Sequence, residues 1–256
     1  MSLINKIFSS IGIGNARVDT KLSTDRLKAG EKVTGFVEIV GGNMEQQIDE
    51  IYLSVMTTYI KEFNDRNINK QATIEKIKIV EPFEIGSNER REIPFSLVLP
   101  LDTPLTLGKT KVWIHTGLDI KNAVDPSDKD YISVSPSPLV AGVLNAIYDL
   151  GFSLRKVDCE AAPYRLRKRL PFVQEFEFVP TSGAYRGKLD EVELVFFPQS
   201  EQKLEVVMQV DRRARGLGSL IAEAMDMDES FVNFTVTADD LPTIKSQMNQ
   251  IISRNS

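Results

Sequence analysis

Apolar and polar positions alternate along most of this chain. Val18, Thr20 and Leu22 alternate with Asp19, Lys21 and Ser23, and Val33, Gly35, Val37 and Ile39 take every second position of the next segment. Period two in β-branched sequence predicts strands. Between them Lys28-Ala29-Gly30-Glu31 offers a turn with glycine where positive φ costs little, so 17–42 reads as a hairpin. A lone hairpin cannot bury its apolar face, so further strands and a second sheet are required. Ile48–Glu62, Ala72–Glu84, Arg91–Leu99, Lys109–Ile120 and Asp130–Val134 supply them. Residues 64–70, NDRNINK, read as a polar hairpin loop.

After Val134 the period changes. Ser135-Pro-Ser-Pro breaks the strand and starts a helix whose face is Leu139, Val143, Leu144, Ile147 and Leu150, expected between two domains. Strands resume at Ser153–Ala161, Phe172–Pro180, Glu191–Phe197, Lys203–Arg212 and Glu229–Thr237, with a short helical insertion at Gly218–Met227. Asp239-Asp240-Leu-Pro caps a terminal amphipathic helix over 240–252, which docks on its own domain or, in a homodimer, on a second copy. Leu3, Ile4, Ile7, Phe8 and Ile11 mark another short helix at 2–11. The expectation is an all-β protein of two antiparallel β-sandwich domains in tandem, 1–134 and 135–256, with an N-terminal, an inter-domain and a C-terminal helix.

Two motifs add a family resemblance. Leu27-Lys-Ala-Gly-Glu-Lys-Val-Thr-Gly-Phe-Val resembles the opening hairpin of arrestin domains, and Ile93-Pro-Phe-Ser-Leu-Val-Leu-Pro resembles a later arrestin strand in the right order. From Ile11 onward, through Gly216-Leu-Gly-Ser-Leu and Asp228-Glu-Ser-Phe, the chain is similar to the bacterial sporulation-control (stage 0 sporulation regulator) family of arrestin-like proteins. That resemblance implies two arrestin-like sandwiches and a non-enzymatic regulator of sporulation that binds other proteins as an adaptor. Arrestin relatives also serve trafficking. The alternative is therefore a peripheral protein that holds anionic membrane through a basic patch and the N-terminal helix.

Composition narrows the chemistry. A net charge of −5 over 256 residues argues against nucleic acid as a partner. The single cysteine, Cys159, excludes an intramolecular disulfide and suits a reducing cytosol. No apolar run approaches the ~20 residues that span a bilayer, and no signal peptide is read, so the expected location is cytoplasmic. The only histidine, His115, lies mid-strand and reads as a structural residue rather than a general base. One His and one Cys exclude the usual zinc sets, so no metal, cofactor or catalytic residue is assigned. Three acidic groups offer oxygens in the spacing of a calcium site: Asp125, Asp128 and Asp130; Asp226, Asp228 and Glu229; Asp239 and Asp240. None matches the twelve-residue calcium loop, and turns or helix caps explain each. Gly12-Ile-Gly14 and Gly216-Leu-Gly218 lack the context of phosphate loops.

Two basic clusters remain. Arg165, Arg167, Lys168 and Arg169, with Arg155 and Lys156 shortly before, form the densest positive run, and Arg212, Arg213 and Arg215 form the second. Solvated edge charges that discourage aggregation are one reading. The functional reading is a partner-binding patch for an acidic protein surface, a phosphorylated segment or anionic lipid.

Overall fold

The structure, a computed structural model, describes residues 16–64, 66–121, 125–211 and 231–256. The chain divides into two compact units, one of Met1–Thr57, Thr73–Pro100 and Val112–Ser133, the other of Thr58–Ala72, Leu101–Lys111 and Val134–Ser256. Beyond the break read at Val134, the second unit thus takes two excursions from the first half of the sequence.

In the first unit β1 (Arg17–Leu22), β3 (Lys32–Val40) and β7 (Arg90–Val98) form an antiparallel sheet in the order β1-β3-β7. The other sheet runs β4 (Gln46–Phe63), β8 (Val112–Ile120), β9 (Ser127–Ser135), β2 (Arg26–Lys28), and β5 (Arg66–Val80) and β6 (Phe83–Ile85) also pair with β4. Val33, Val37 and Ile39 of the first sheet and Ile51, Leu53, Val55, Ile114 and Leu118 of the second are almost fully buried, as alternation requires. The hairpin motif has a steric reason. A Cβ on Gly35 would stand 2.2 Å from the Lys21 carbonyl oxygen, so only glycine lets β1 approach β3 there. Gly30 in the turn has φ 91°, the left-handed conformation expected of it.

Two local readings need correction. The opening hairpin is interrupted: β2 leaves it for the opposite sheet, where Ser133 donates its N–H to Asp25 O at 2.6 Å. Leu27, 4% exposed, supplies the apolar reason for that excursion. Residues 66–70 are strand, since β5 begins at Arg66 after a tight turn in which Asn64 adopts φ 50°. Their polarity reflects exposure on an outer strand, which period-based reading takes for a loop.

The second unit is an antiparallel meander in the order β14 (Phe231–Thr237), β13 (Lys203–Asp211), β12 (Glu191–Ser200), β11 (Phe172–Pro180), β10 (Phe152–Ala161). Helices α1 (Pro138–Asp149) and α2 (Ile244–Asn255) pack on each other, and α1 also packs on β10 and β13. Ser137 caps α1, accepting the Val140 N–H at 3.4 Å, with Pro138 opening the first turn. The α2 face of Ile244, Met248 and Ile252 is buried within its own unit. β11 and the second excursion are stitched by one side chain: Gln174 accepts the Leu105 N–H and donates to Leu105 O, both at 2.8 Å, and donates to Thr110 Oγ1 at 3.2 Å.

Gly35→Ala is expected to cost about 2–4 kcal/mol, because backbone rather than a flexible side chain occupies the space. Chemical denaturation of both proteins checks it; equal midpoints would mean that β1 shifts freely.

Candidate partner-binding surface

The basic run 165–169 lies on the connection between β10 and β11. Ala162 N–H donates to Pro171 O at 3.0 Å and closes the loop at its base, while Leu166 N–H donates to Pro163 O at 3.0 Å and makes a turn at its tip. Leu166 packs against buried Val173, Val195 and Val207, and Leu170 is itself buried. Two of the cations anchor the loop. Arg169 forks onto the Asp102 carboxylate, with Nε at 3.0 Å, and Lys168 lies 3.9 Å from Glu205 and 5.4 Å from the Phe197 ring centre. Tyr164, Arg165 and Arg167 project outward. Tyr164 is 94% exposed, and Arg165 and Arg167 have no carboxylate at ion-pair distance among the described residues.

Arg155 and Lys156 are placed differently. At about 3.3 Å per strand residue, Arg155 stands about 20 Å along β10 from the loop's base. Arg155 donates to Glu177 from Nε at 3.2 Å and Nη2 at 3.0 Å, and also contacts Glu191. Lys156 Nζ lies 2.9 Å from Glu160, 3.0 Å from Glu177 and 3.5 Å from Asp158. Burial pulls both cations' pKa down, but hydrogen bonds to these carboxylates outweigh it, and both are raised. These two side chains are counter-ions of an acidic row. Across the strands Asp158 pairs with Glu175, and Glu177 with Glu193. Glu175, Glu177 and Glu193 are 1%, 6% and 3% exposed. Among the described residues neither Glu175 oxygen has a hydrogen-bond partner; burial, then the charges of Glu193, Glu160 and Glu177, push its carboxyl up to about 9. At neutral pH it is the uncharged acid.

The remaining candidates serve the fold. His115 sits on β8 opposite Ser54 and Lys129, its ring 6.3 Å from that of Tyr52. Cys159 is buried with its thiol pushed up to about 12, chiefly by burial, and it lies 3.9 Å from Thr110 Oγ1. Asp125 accepts the Ile120 N–H at 3.0 Å, Asp128 accepts the Thr20 N–H at 2.7 Å, and Asp240 accepts the Thr237 N–H at 2.8 Å in a capping box. Their oxygens thus satisfy backbone donors. Among the described residues no group of three or more His, Cys, Asp or Glu side chains is arranged to hold a metal ion. Arg212, Arg213 and Arg215, the acidic group 226–229, the insertion 218–227 and the helix 2–11 lie outside the described residues. The sequence reading missed Tyr164, the Asp102 anchor and the acidic row. A lone tyrosine in a basic run was a usable signal; Asp102, 67 residues from Arg169, gave none.

Residues 4–214 match the family described as SpoOM protein. The chain is 45% identical over 241 residues to the sporulation-control protein spo0M of Bacillus subtilis (strain 168), covering 94% of this chain and 93% of that one. It is also similar to the crystal structure of Spo0M, sporulation control protein, from Bacillus subtilis. That match has a TM-score of 0.89 and 43% identity, and covers 95% of this chain and 100% of the other.

Buried Glu175 ties stability to pH with a definite sign. Its carboxyl rises from an ordinary 4.5 to about 9 on folding, so the folded chain keeps a proton that the unfolded chain loses across that window. Stability therefore falls as pH rises towards 9. Glu175→Gln removes the titration. Its thermal unfolding is expected above wild type at pH 8, with the gap narrowing towards pH 4; a gap constant with pH would mean that Glu175 is charged in the folded chain.

Proposed function

The chain belongs to the SpoOM protein family, and from that premise we propose that it acts in sporulation control as a non-enzymatic, cytoplasmic adaptor that binds other proteins. The observation that carries this reading is the β10–β11 loop, which Arg169–Asp102 and the packing of Leu166 fasten while Tyr164, Arg165 and Arg167 face solvent. Tyrosine and arginine are the side chains most often found at the centre of protein interfaces. A loop already ordered before binding loses little conformational entropy on docking. Arginine forks favour carboxylate or phosphate, so the partner is an acidic protein segment. The tandem, arrestin-like sandwich organisation expected from the sequence suits such a role, since sheet edges also accept extended segments. Arg155 and Lys156 support the sheet behind this surface through Glu177 rather than meeting the partner.

Binding is expected to require the two outward arginines. In affinity capture from the native cells at low and high salt, Arg165→Glu with Arg167→Glu should lose the specific proteins that wild type retains, with unfolding unchanged. Retention of the same proteins by the variant would overturn the assignment of this loop. Salt-sensitive flotation with anionic liposomes, without protein partners, would replace the adaptor by the membrane-bound alternative.

A further inference from the structure

The first unit contains a second set of neighbouring carboxylates, Asp128 and Asp130, beside β1 of its three-stranded sheet. Among the described residues β1 is an end strand of that sheet, paired with β3. What holds it from the other side is Thr20, 3% exposed. Its N–H donates to Asp128 Oδ2 of β9 at 2.7 Å, and its hydroxyl lies 2.6 Å from that of Thr116, fully buried on β8. An end strand's outward donors otherwise face water or an incoming strand. Asp128 fills that role here.

Asp130 stands two residues further along β9 and so on the same face as Asp128. Its Oδ2 is buried without a hydrogen-bond partner among the described residues. Among the described residues the charged groups that act on it are Asp128 on its own strand and Asp19 and Lys21 on β1, while Arg26 and Lys28 of β2, which pairs with β9, flank buried Leu27 and are exposed. Lys21 is itself engaged by Asp19 and lies within the field of Glu38 on β3. His115 alternates with inward-facing Ile114 and Thr116 on β8 and so belongs to the opposite face. The pair is thus deficient in positive charge at the point that fastens β1.

We propose that Asp128 and Asp130 make β1 a proton-gated edge strand: with Asp130 neutral the Thr20 latch is closed, and with both aspartates charged β1 leaves more readily and uncovers the edge of β3. The direction follows from linkage. Burial, then the charge of Asp128, hold the Asp130 carboxyl at about 6 against an ordinary 3.8. The latched state therefore binds the proton more tightly and is favoured in acid, and the preference is lost as pH rises through 6. Asp128 stays beside Asp130 on β9 when β1 leaves and keeps part of this effect, so between pH 5 and 7.5 the opening equilibrium of β1 should rise severalfold, with about tenfold as the upper bound. This gate is independent of the basic loop in the second unit.

Hydrogen exchange read by mass spectrometry on peptides spanning 17–22 tests it, with intrinsic rates corrected for pH and peptides spanning 191–211 as internal control. Wild-type protection over 17–22 should fall severalfold, by up to about tenfold, from pH 5 to 7.5 while the control holds. Asp130→Asn should keep the acid level of protection at both pH values, and Asp128→Ala should lose it at both. The proposal is overturned if protection over 17–22 is independent of pH, if it falls together with the control, or if Asp130→Asn titrates like wild type.

Discussion

A carboxylate taken out of water must be met by positive charge or must keep its proton, and the second unit's sheet imposes that condition three times in adjacent positions. Glu177 is met by Arg155 and Lys156, while Glu175, against Asp158 and beside Glu193, has no such partner and stays neutral. The condition sorts the protein's positive charges. Cations close to the acidic row are committed to it. Those on the β10–β11 loop either fasten the loop, as Arg169 does on Asp102, or face solvent as Arg165 and Arg167 do. The outward charge of that loop is thus left over after Glu177 is paired and Glu175 keeps its proton.

The same rule operates in the first unit at smaller scale. Asp128 is useful there as an acceptor for the end strand of the described sheet, and Asp130 beside it makes that service sensitive to protons. The opposite end strand, β7, carries Pro94, a residue that sheets tolerate at their edges. Each end of this sheet therefore carries a polar or conformational device against indiscriminate pairing. Gln174 belongs to the same class of solution, since one amide satisfies both backbone groups of Leu105 and so secures a segment with no regular structure.

Most of the fold was legible because burial on one face of a strand writes itself into sequence as period two. Leu204, Val206, Met208 and Val210 on β13 show that pattern and are all buried. Helix α1 was legible from Ser137-Pro138 and its apolar stripe. The failures share a cause. β5 looks like a loop from 66 to 70 because an outer strand need not bury a side chain at every second position, and β2 is too short for any period to register. The basic residues were legible as a run but not as roles, since nothing within the run distinguishes Arg165 from Arg169.

By itself, then, the sequence determined the alternating strands, the capped helices, the family and the presence of surplus positive charge between β10 and β11. These are properties of neighbours in the chain, set by backbone geometry and local hydropathy. Only the tertiary structure decided which cations are spoken for, why Glu175 keeps a proton and how Thr20 comes to rest on Asp128. Those outcomes depend on Coulomb interactions and desolvation between residues far apart in sequence, such as the 108 positions from Thr20 to Asp128. No local pattern encodes such distances.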